Sequence, residues 1–395
     1  MSASIPHPLN LQALVFGVVV AAFTSIYVTQ PVLPVIAREF GVDASAASLT
    51  VAAVVFGIAL ATLPFGWLAD RIAMRPILLA GAAVVGVAGL MCAVTENFTL
   101  LVVARFIQGL FLPALTTCIA AYLANNLPVA RLNVVMGSYI SATVVGGLGG
   151  RLLGGWIHPP LHWRYAFVSA SMLLFVAAIA AARWLPNASR PPRHHGSDIG
   201  FGALLLSAAI VRIFAVAFGA FCVFSATFNY LPFYLGAAPI NAPIAVITLL
   251  YLSYLVGAAV GPNAGRIANR IGGGATMMLG AMLFAAALAL TLVPSLFAVT
   301  LGLVGVCAGF FATHAAASGT LNSRLTSSRG RGNALYVLFY YVGGSVGIAA
   351  GGYVYRLGGW PALVGIGTTV LALPFIVGLI EWRSGHSYAP ARRGK

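Results

Sequence analysis

The sequence predicts an all-α membrane protein: twelve transmembrane helices in two six-helix bundles related as a parallel repeat. Three observations predict it. Of 395 residues, 61% are hydrophobic and only 7% charged, whereas a soluble domain carries about 25% charged residues. Apolar stretches recur that are long enough, at 1.5 Å per residue, to cross a hydrocarbon core about 30 Å thick. The two halves of the chain also share glycine patterns at a nearly constant offset.

The spans read near 11–36, 46–69, 76–95, 98–122, 132–157, 163–184, 211–235, 243–265, 275–294, 296–322, 332–355 and 361–382. The first, Leu11 to Ile36, is too long for a cleaved signal core and lacks a basic leader or a cleavage-like site. A polar, Pro-rich stretch from Pro186 to Asp198 separates spans six and seven. The expected organisation is a first bundle over 1–185, a cytoplasmic linker over 186–210, and a second bundle with a short basic tail over 211–395. The apolar run 199–210 is extra, and is expected along the membrane surface.

The repeat has two independent anchors. Gly66-Trp67-Leu68-Ala69-Asp70-Arg71 recurs as Gly265-Arg266-Ile267-Ala268-Asn269-Arg270, offset by 199. Gly146, Gly147, Gly150, Gly154, Gly155 and Trp163 recur as Gly343, Gly344, Gly347, Gly351, Gly352 and Trp360, offset by 197. Six spans duplicated in parallel explain both.

A net charge of +15 invites a nucleic-acid partner, but the placement of the charges excludes it. With the N-terminus inside, 16 of the 21 basic residues fall on one side, from Arg71 and Arg75 to Arg393 and Lys395. Three, Arg38, Arg164 and Arg356, fall on the other, and Arg105 and Arg151 lie within spans. That split satisfies the positive-inside rule with both termini cytoplasmic, and places the basic loops beside the anionic lipid surface of the bilayer. Cys92, Cys118, Cys222 and Cys307 all lie inside apolar spans, as small buried hydrophobes do. No P-loop, G-x-S-x-G or H-E-x-x-H occurs, and His194-His195 is an isolated loop pair. An enzyme, a cofactor and a metal are therefore not expected. Without an ATP site, a gradient must supply the energy.

Two motifs carry a family resemblance. The span 2–3 loop reads Gly66-x-x-x-Asp70-Arg71-x-Ala73-Met74-Arg75, and span four reads Arg105-Phe106-Ile107-Gln108-Gly109. These resemble the G-x-x-x-D-R-x-G-R-R and R-x-x-Q-G signatures of the major facilitator superfamily. Span five, with Gly137, Gly146, Gly150, Arg151, Gly154 and Gly155, is similar to its antiporter signature, with Arg151 where that signature has Pro. The Gly-Arg pair, Tyr27-Val28-Thr29-Gln30-Pro31, Phe228-Asn229-Tyr230, Gly309 to His314, and Leu338 to Tyr341 resemble the bacterial inner-membrane exporters typified by YnfM.

The resemblance implies a gating role for Gly66, Asp70, Arg71 and Arg75, and for Gly265, Asn269 and Arg270 in the second copy, where Asn269 removes the negative charge. It implies a central cavity lined by spans one, four, seven and ten. The deep polar residues fall on those spans: Gln30, Arg105, Gln108, Asn229 and His314. Tyr27, Tyr230, Tyr251, Tyr254, Tyr336, Tyr340, Tyr341 and the second span cation, Arg151, are the other pathway candidates. An Arg at a helix centre costs about 2.5–3.5 kcal/mol to insert, so it needs a partner or a watery cavity. All six acidic residues, Glu39, Asp43, Asp70, Glu96, Asp198 and Glu381, sit in loops or at span ends. The deep titratable candidate is thus His314, about 15 Å from the inner surface, whose ordinary pKa of about 6.5 suits a proton switch.

The expected function is efflux of small organic molecules across a bacterial inner membrane, by alternating access and proton antiport, with the chain acting as a monomer. The runner-up is an organic-anion or sugar uniporter or symporter of the same fold, the anion favoured by two span cations and no mid-span carboxylate. A receptor or scaffold that lost transport is a third class, and would not need the polar residues retained in the spans.

Overall fold

Span one shows how a sequence breaks a helix inside a membrane. In this computed structural model α1 (Pro8–Tyr27) stops at Tyr27, a 3₁₀ turn covers Gln30–Val32, and α2 (Leu33–Phe40) resumes. Pro31 has no N–H to give to the Tyr27 carbonyl, so the α-helical ladder cannot run through. Pro34 is tolerated because it lies in the first turn of α2. At the far end Gly41 takes a φ of 64°, where a side chain would be strained, and Val42 donates back to Ala37 at 2.9 Å. Asp43 then caps the next helix, its carboxylate accepting from the Ala46 N–H at 2.7 Å. The structure describes residues 8–387, apart from 70, 128, 186–199 and 326–328.

The remaining helices of the first half follow the apolar pattern. They are α3 (Ala44–Ala69), α4 (Met74–Val94), α5 (Phe98–Leu115), α6 (Thr117–Asn126), α7 (Val129–Ile157) and α8 (Arg164–Trp184). Asn97 caps α5 through the Leu100 N–H at 3.0 Å. Span four is two helices, α5 and α6, divided at Thr116 shortly after Pro113.

The second half contains α9 (Phe201–Leu206), α10 (Ala208–Gly236), α11 (Ile244–Leu250), α12 (Leu255–Ile271), α13 (Gly273–Leu290), α14 (Leu296–Arg324) and α15 (Arg329–Ser387). The apolar run before span seven is thus a short helix followed by the first turn of α10. Span eight is broken by a 3₁₀ turn at Tyr251–Tyr254. The long α15 is two helices, interrupted at Gly358 and at Gly359, whose φ is 61°.

Among the described residues, ten helices are long and apolar enough to cross a membrane. The last of these, Gly330–Ser384, is the interrupted pair. The 29-residue α7, which carries Arg151, lies outside the ten and is also long enough to span. Counted so, the helices accommodate the twelve predicted spans.

The chain forms two compact units. One comprises Met1–His195, Leu231–Ala237 and Asn241–Tyr251; the other comprises Gly196–Tyr230, Ala238–Ile240 and Leu252–Lys395. The division passes through α10 next to Pro232 and through the 3₁₀ turn of span eight. In the first unit α1 packs on α7 and α8, α3 on α5, and α4 on α5 and α8; in the second, α13 packs on α14 and α15, and α12 on α14.

The glycine repeat is a packing device. In the first unit a Cβ on Gly146, Gly150 or Gly154 of α7 would overlap the backbone of Val20, Thr24 or Val28. In the second, a Cβ on Gly343 or Gly347 of α15 would overlap the backbone of Phe218 or Cys222. The contacts repeat at offsets of 197 along one helix (Gly146 to Gly343) and 198 along the other (Val20 to Phe218). Small residues every fourth position let two backbones meet, where dispersion rather than the hydrophobic effect holds helices together. Gly150→Ala should therefore lower the melting temperature in detergent sharply. Gly149→Ala, where the added carbon meets only the Thr24 hydroxyl at 3.7 Å, should be neutral or stabilising by up to about 1 kcal/mol. Equal melting of the two variants would show that the ridge does not hold α1 against α7.

Candidate functional site

The last turn of α1 leaves carbonyls without helical partners, and a buried arginine fills that need. Arg105 of α5 is 0% exposed. Its Nε donates to the Thr50 carbonyl at 2.9 Å and its Nη1 to the Ser25 carbonyl at 2.7 Å. Nη1 also donates to the Gln108 side chain at 2.6 Å, and Nη2 donates to the Ile26 carbonyl. Gln108 in turn donates to the Val85 carbonyl on α4 at 3.0 Å. One guanidinium thus ties α1, α3 and α5 directly, and α4 through Gln108. A cation at the C-terminal end of α1 also complements the helix dipole.

The second span cation lies on the other side of the same break. Arg151 of α7 is 3% exposed. Its Nε donates to Gln30 Oε1 at 2.7 Å and its Nη1 to the Gly147 carbonyl at 2.7 Å. The guanidinium lies 3.9 Å from the Tyr27 ring centre and 5.5 Å from that of Tyr251. Gly155, one turn further along α7, lies against Thr248 of α11, with no room for a Cβ. Thr29, inside the break, has a buried hydroxyl with no hydrogen-bond partner.

The second unit presents an aromatic cluster instead of cations. His314 of α14 meets Tyr336 of α15, with Oη 3.0 Å from Nδ1. Phe310 lies parallel to the imidazole at 5.9 Å, and Tyr340 lies tilted to it at 5.1 Å. Phe221 stacks on Tyr340 at 3.7 Å, Phe224 on Phe310 at 3.9 Å, and Tyr341 meets Phe221 edge-on. Tyr254 approaches Phe228 at 4.6 Å and Phe224 at 5.2 Å. Tyr230 turns elsewhere, donating to the Ile348 carbonyl at 2.8 Å. Asn229 is 0% exposed, and neither its amide nitrogen nor its oxygen has a hydrogen-bond partner. A buried amide in that condition costs free energy unless something fills its needs.

The gating candidates scatter more. Arg71 covers the Trp67 ring at 3.7 Å and bonds the Trp67 carbonyl, while Arg75 reaches the Leu185 carbonyl at 3.5 Å. Gly66 leaves room for ordinary contact with Thr117. Asp70 lies outside the described residues. In the second copy Asn269 and Arg270 are exposed, Gly265 is partly buried, and Arg266 bonds Asn263.

By sequence, Arg105, Gln108 and Arg151 group with His314 as one pathway. The structure uses Arg105 and Gln108 as frame: their polar atoms are spent on carbonyls and on each other. It brings Arg151, Gln30, Tyr27 and Tyr251 together in one unit, and His314, Tyr336, Tyr340, Tyr341 and Tyr254 in the other. It also shows a buried acid that position alone did not reveal. Glu381, at the end of α15, has a side chain 3% exposed and pairs with Arg324 of α14 and with Arg212 of α10, the latter at 3.4 Å. The signal was faint: an acid in an otherwise apolar last span, and two arginines far away in sequence.

A profile of the Major Facilitator Superfamily matches residues 15–299. The chain belongs to the major facilitator superfamily. It is 29% identical to the inner membrane transport protein YnfM of Escherichia coli, over 97% of this chain and 93% of that one. It is 27% identical to the uncharacterised transporter YybF of Bacillus subtilis, over 92% of this chain and 90% of that one. Among solved structures it resembles an inward-facing bacterial homologue of the human lysosomal transporter Spinster. The TM-score is 0.74, at 15% identity over 98% of this chain and all of that one. The chain is therefore a multi-pass membrane transporter of the secondary, major facilitator kind, acting on small molecules.

The Arg105 node predicts its own test. Arg105→Ala strands the carbonyls of Ser25 and Ile26 and removes a second bond from that of Thr50, at a cost above about 3 kcal/mol if each lost charged bond is worth about 1.5–3. The melting temperature and folded yield should fall, and Arg105→Lys should not restore them, because an ammonium lacks the planar five-donor fork. A fully stable Lys variant would reduce the node to a simple charge.

Proposed function

We propose that this transporter exports small organic molecules across a bacterial inner membrane by alternating access, in exchange for protons. The observation that carries the reading is His314, a titratable side chain held by Tyr336 within an aromatic cluster, in spans whose middles contain no carboxylate. Arginine keeps its proton under any accessible pH, so Arg105 and Arg151 cannot alternate between charge states. The aromatic faces around His314 offer apolar contact of the kind small-molecule sites use. The inner-membrane location is supported by the likeness to YnfM.

In proteoliposomes with an imposed pH gradient, His314→Gln should abolish uphill transport and leave downhill exchange measurable. Uphill transport at the wild-type rate would move coupling to Asp70 or another residue at a span end.

A second reading is favoured by Arg151. A buried guanidinium between Tyr27 and Tyr251 suits an organic anion carried by uniport or symport. A wild-type protein indifferent to the pH gradient would favour that reading over antiport.

Orientation follows from the charge split, with the 186–198 linker and both termini in the cytoplasm. Single cysteines introduced at Ser189 and Ser387 should resist an impermeant thiol reagent in intact cells. Labelling of either from outside would reverse the topology.

A further inference from the structure

Away from the candidate pathway, the first unit has a cavity of about 690 Å³ lined by Glu39, Phe40, Ala93, Val94, Glu96, His162, Arg164, Tyr165 and Val168. It sits where α2 and α4 end and α8 begins, the end of the unit opposite the 66–75 loop. Glu39 is tied down: Arg164 holds it at 2.9 Å, His162 Nε2 lies 3.4 Å away, and the Trp163 indole N–H donates to it. Arg164 is equally committed, donating also to the carbonyls of Thr95 and Ala93. These two cancel. Glu96 does not take part in that network and is exposed.

The lining holds two carboxylates, Glu39 and Glu96, to one guanidinium, Arg164, in a chain whose overall charge is +15. Two of the chain's six acidic residues line this one cavity. Its remaining wall is apolar or aromatic, and opens outward: Val94 is 77% exposed and Tyr165 54%. The Phe40 ring is already covered by the Arg164 guanidinium at 5.7 Å, so the exposed carboxylate of Glu96 with the Tyr165 ring selects for a cation, and the apolar wall selects for a hydrocarbon attached to it.

We infer that this cavity binds an ammonium group carried on an apolar body, with Glu96 as the principal anion and Phe40, Val94, Tyr165 and Val168 receiving the hydrocarbon. An aminophospholipid and a free amphiphilic amine share that chemistry. The inference does not rest on the transport reading, since none of these residues belongs to the proposed pathway.

The experiment uses the full-length protein and the Glu96→Gln variant, which removes an exposed charge and should fold normally. Retention of phosphatidylethanolamine through delipidation is counted by native mass spectrometry. Thermal stabilisation by decylamine is compared with that by decanol. If the lipid is the source, the wild type should keep tightly held phosphatidylethanolamine that Glu96→Gln loses, about fivefold weaker as befits an exposed charge pair. If the source is a free amine, lipid retention should be equal in both proteins, while decylamine stabilises the wild type more than decanol does and the variant no better. Equal lipid retention together with equal decylamine response in the two proteins would overturn the site.

Discussion

The carbonyls freed at the end of α1 are the constraint on which the first unit depends. A helix that stops inside a membrane cannot leave those oxygens bare, since no water is there to bond them. Arg105 supplies the missing donors, and in doing so it fixes α5 against both α1 and α3. The cost of burying the guanidinium and the cost of ending the helix offset one another. Neither feature would be tolerable without its counterpart, which is why the break at Pro31 and the cation on α5 form one structural unit.

Arg151 extends the same logic to the other side of the break. Its bond to Gln30 and its position between Tyr27 and Tyr251 join α7 to span one and to the start of span eight. The glycines at 146, 150 and 154 make this possible, because only backbone contact brings α7 close enough to α1. In the second unit Gly343 and Gly347 pack on backbone the same way, whereas Gly351 meets side chains, and Ile348 follows Gly347 where Arg151 follows Gly150. Polar ties there run from the Tyr230 hydroxyl to the Ile348 carbonyl and from the Ser225 hydroxyl to the Gly344 carbonyl. The two halves thus share a packing scheme and differ in polar chemistry: cations in one, aromatics with a histidine in the other.

Ion pairs mark helix ends in both units. Glu39 with Arg164, and Glu381 with Arg324 and Arg212, each join helices distant in sequence. A buried carboxylate such as Glu381 is poor evidence of added stability in itself, yet losing one partner leaves an uncompensated charge. Such pairs act as register marks, holding particular helix ends together.

The sequence by itself determined the membrane class, the spans and the duplication, because these depend on local hydrophobicity and on residues of fixed spacing. A run of about 20 apolar residues must be helical in lipid wherever it lies. The superfamily motifs were equally legible, being contiguous. Only the tertiary structure decided which side chains act together. Arg105 and Arg151 look alike as lone cations in apolar spans; their partners lie from 79 to 121 residues away for the bonds between spans one, four and five. The spending of Arg105 on carbonyls, the grouping of His314 with Tyr336, and the unpaired amide of Asn229 are properties of three-dimensional neighbours. Backbone carbonyls are present at every residue and carry no sequence signal, so their capture by a side chain emerges only when helices pack.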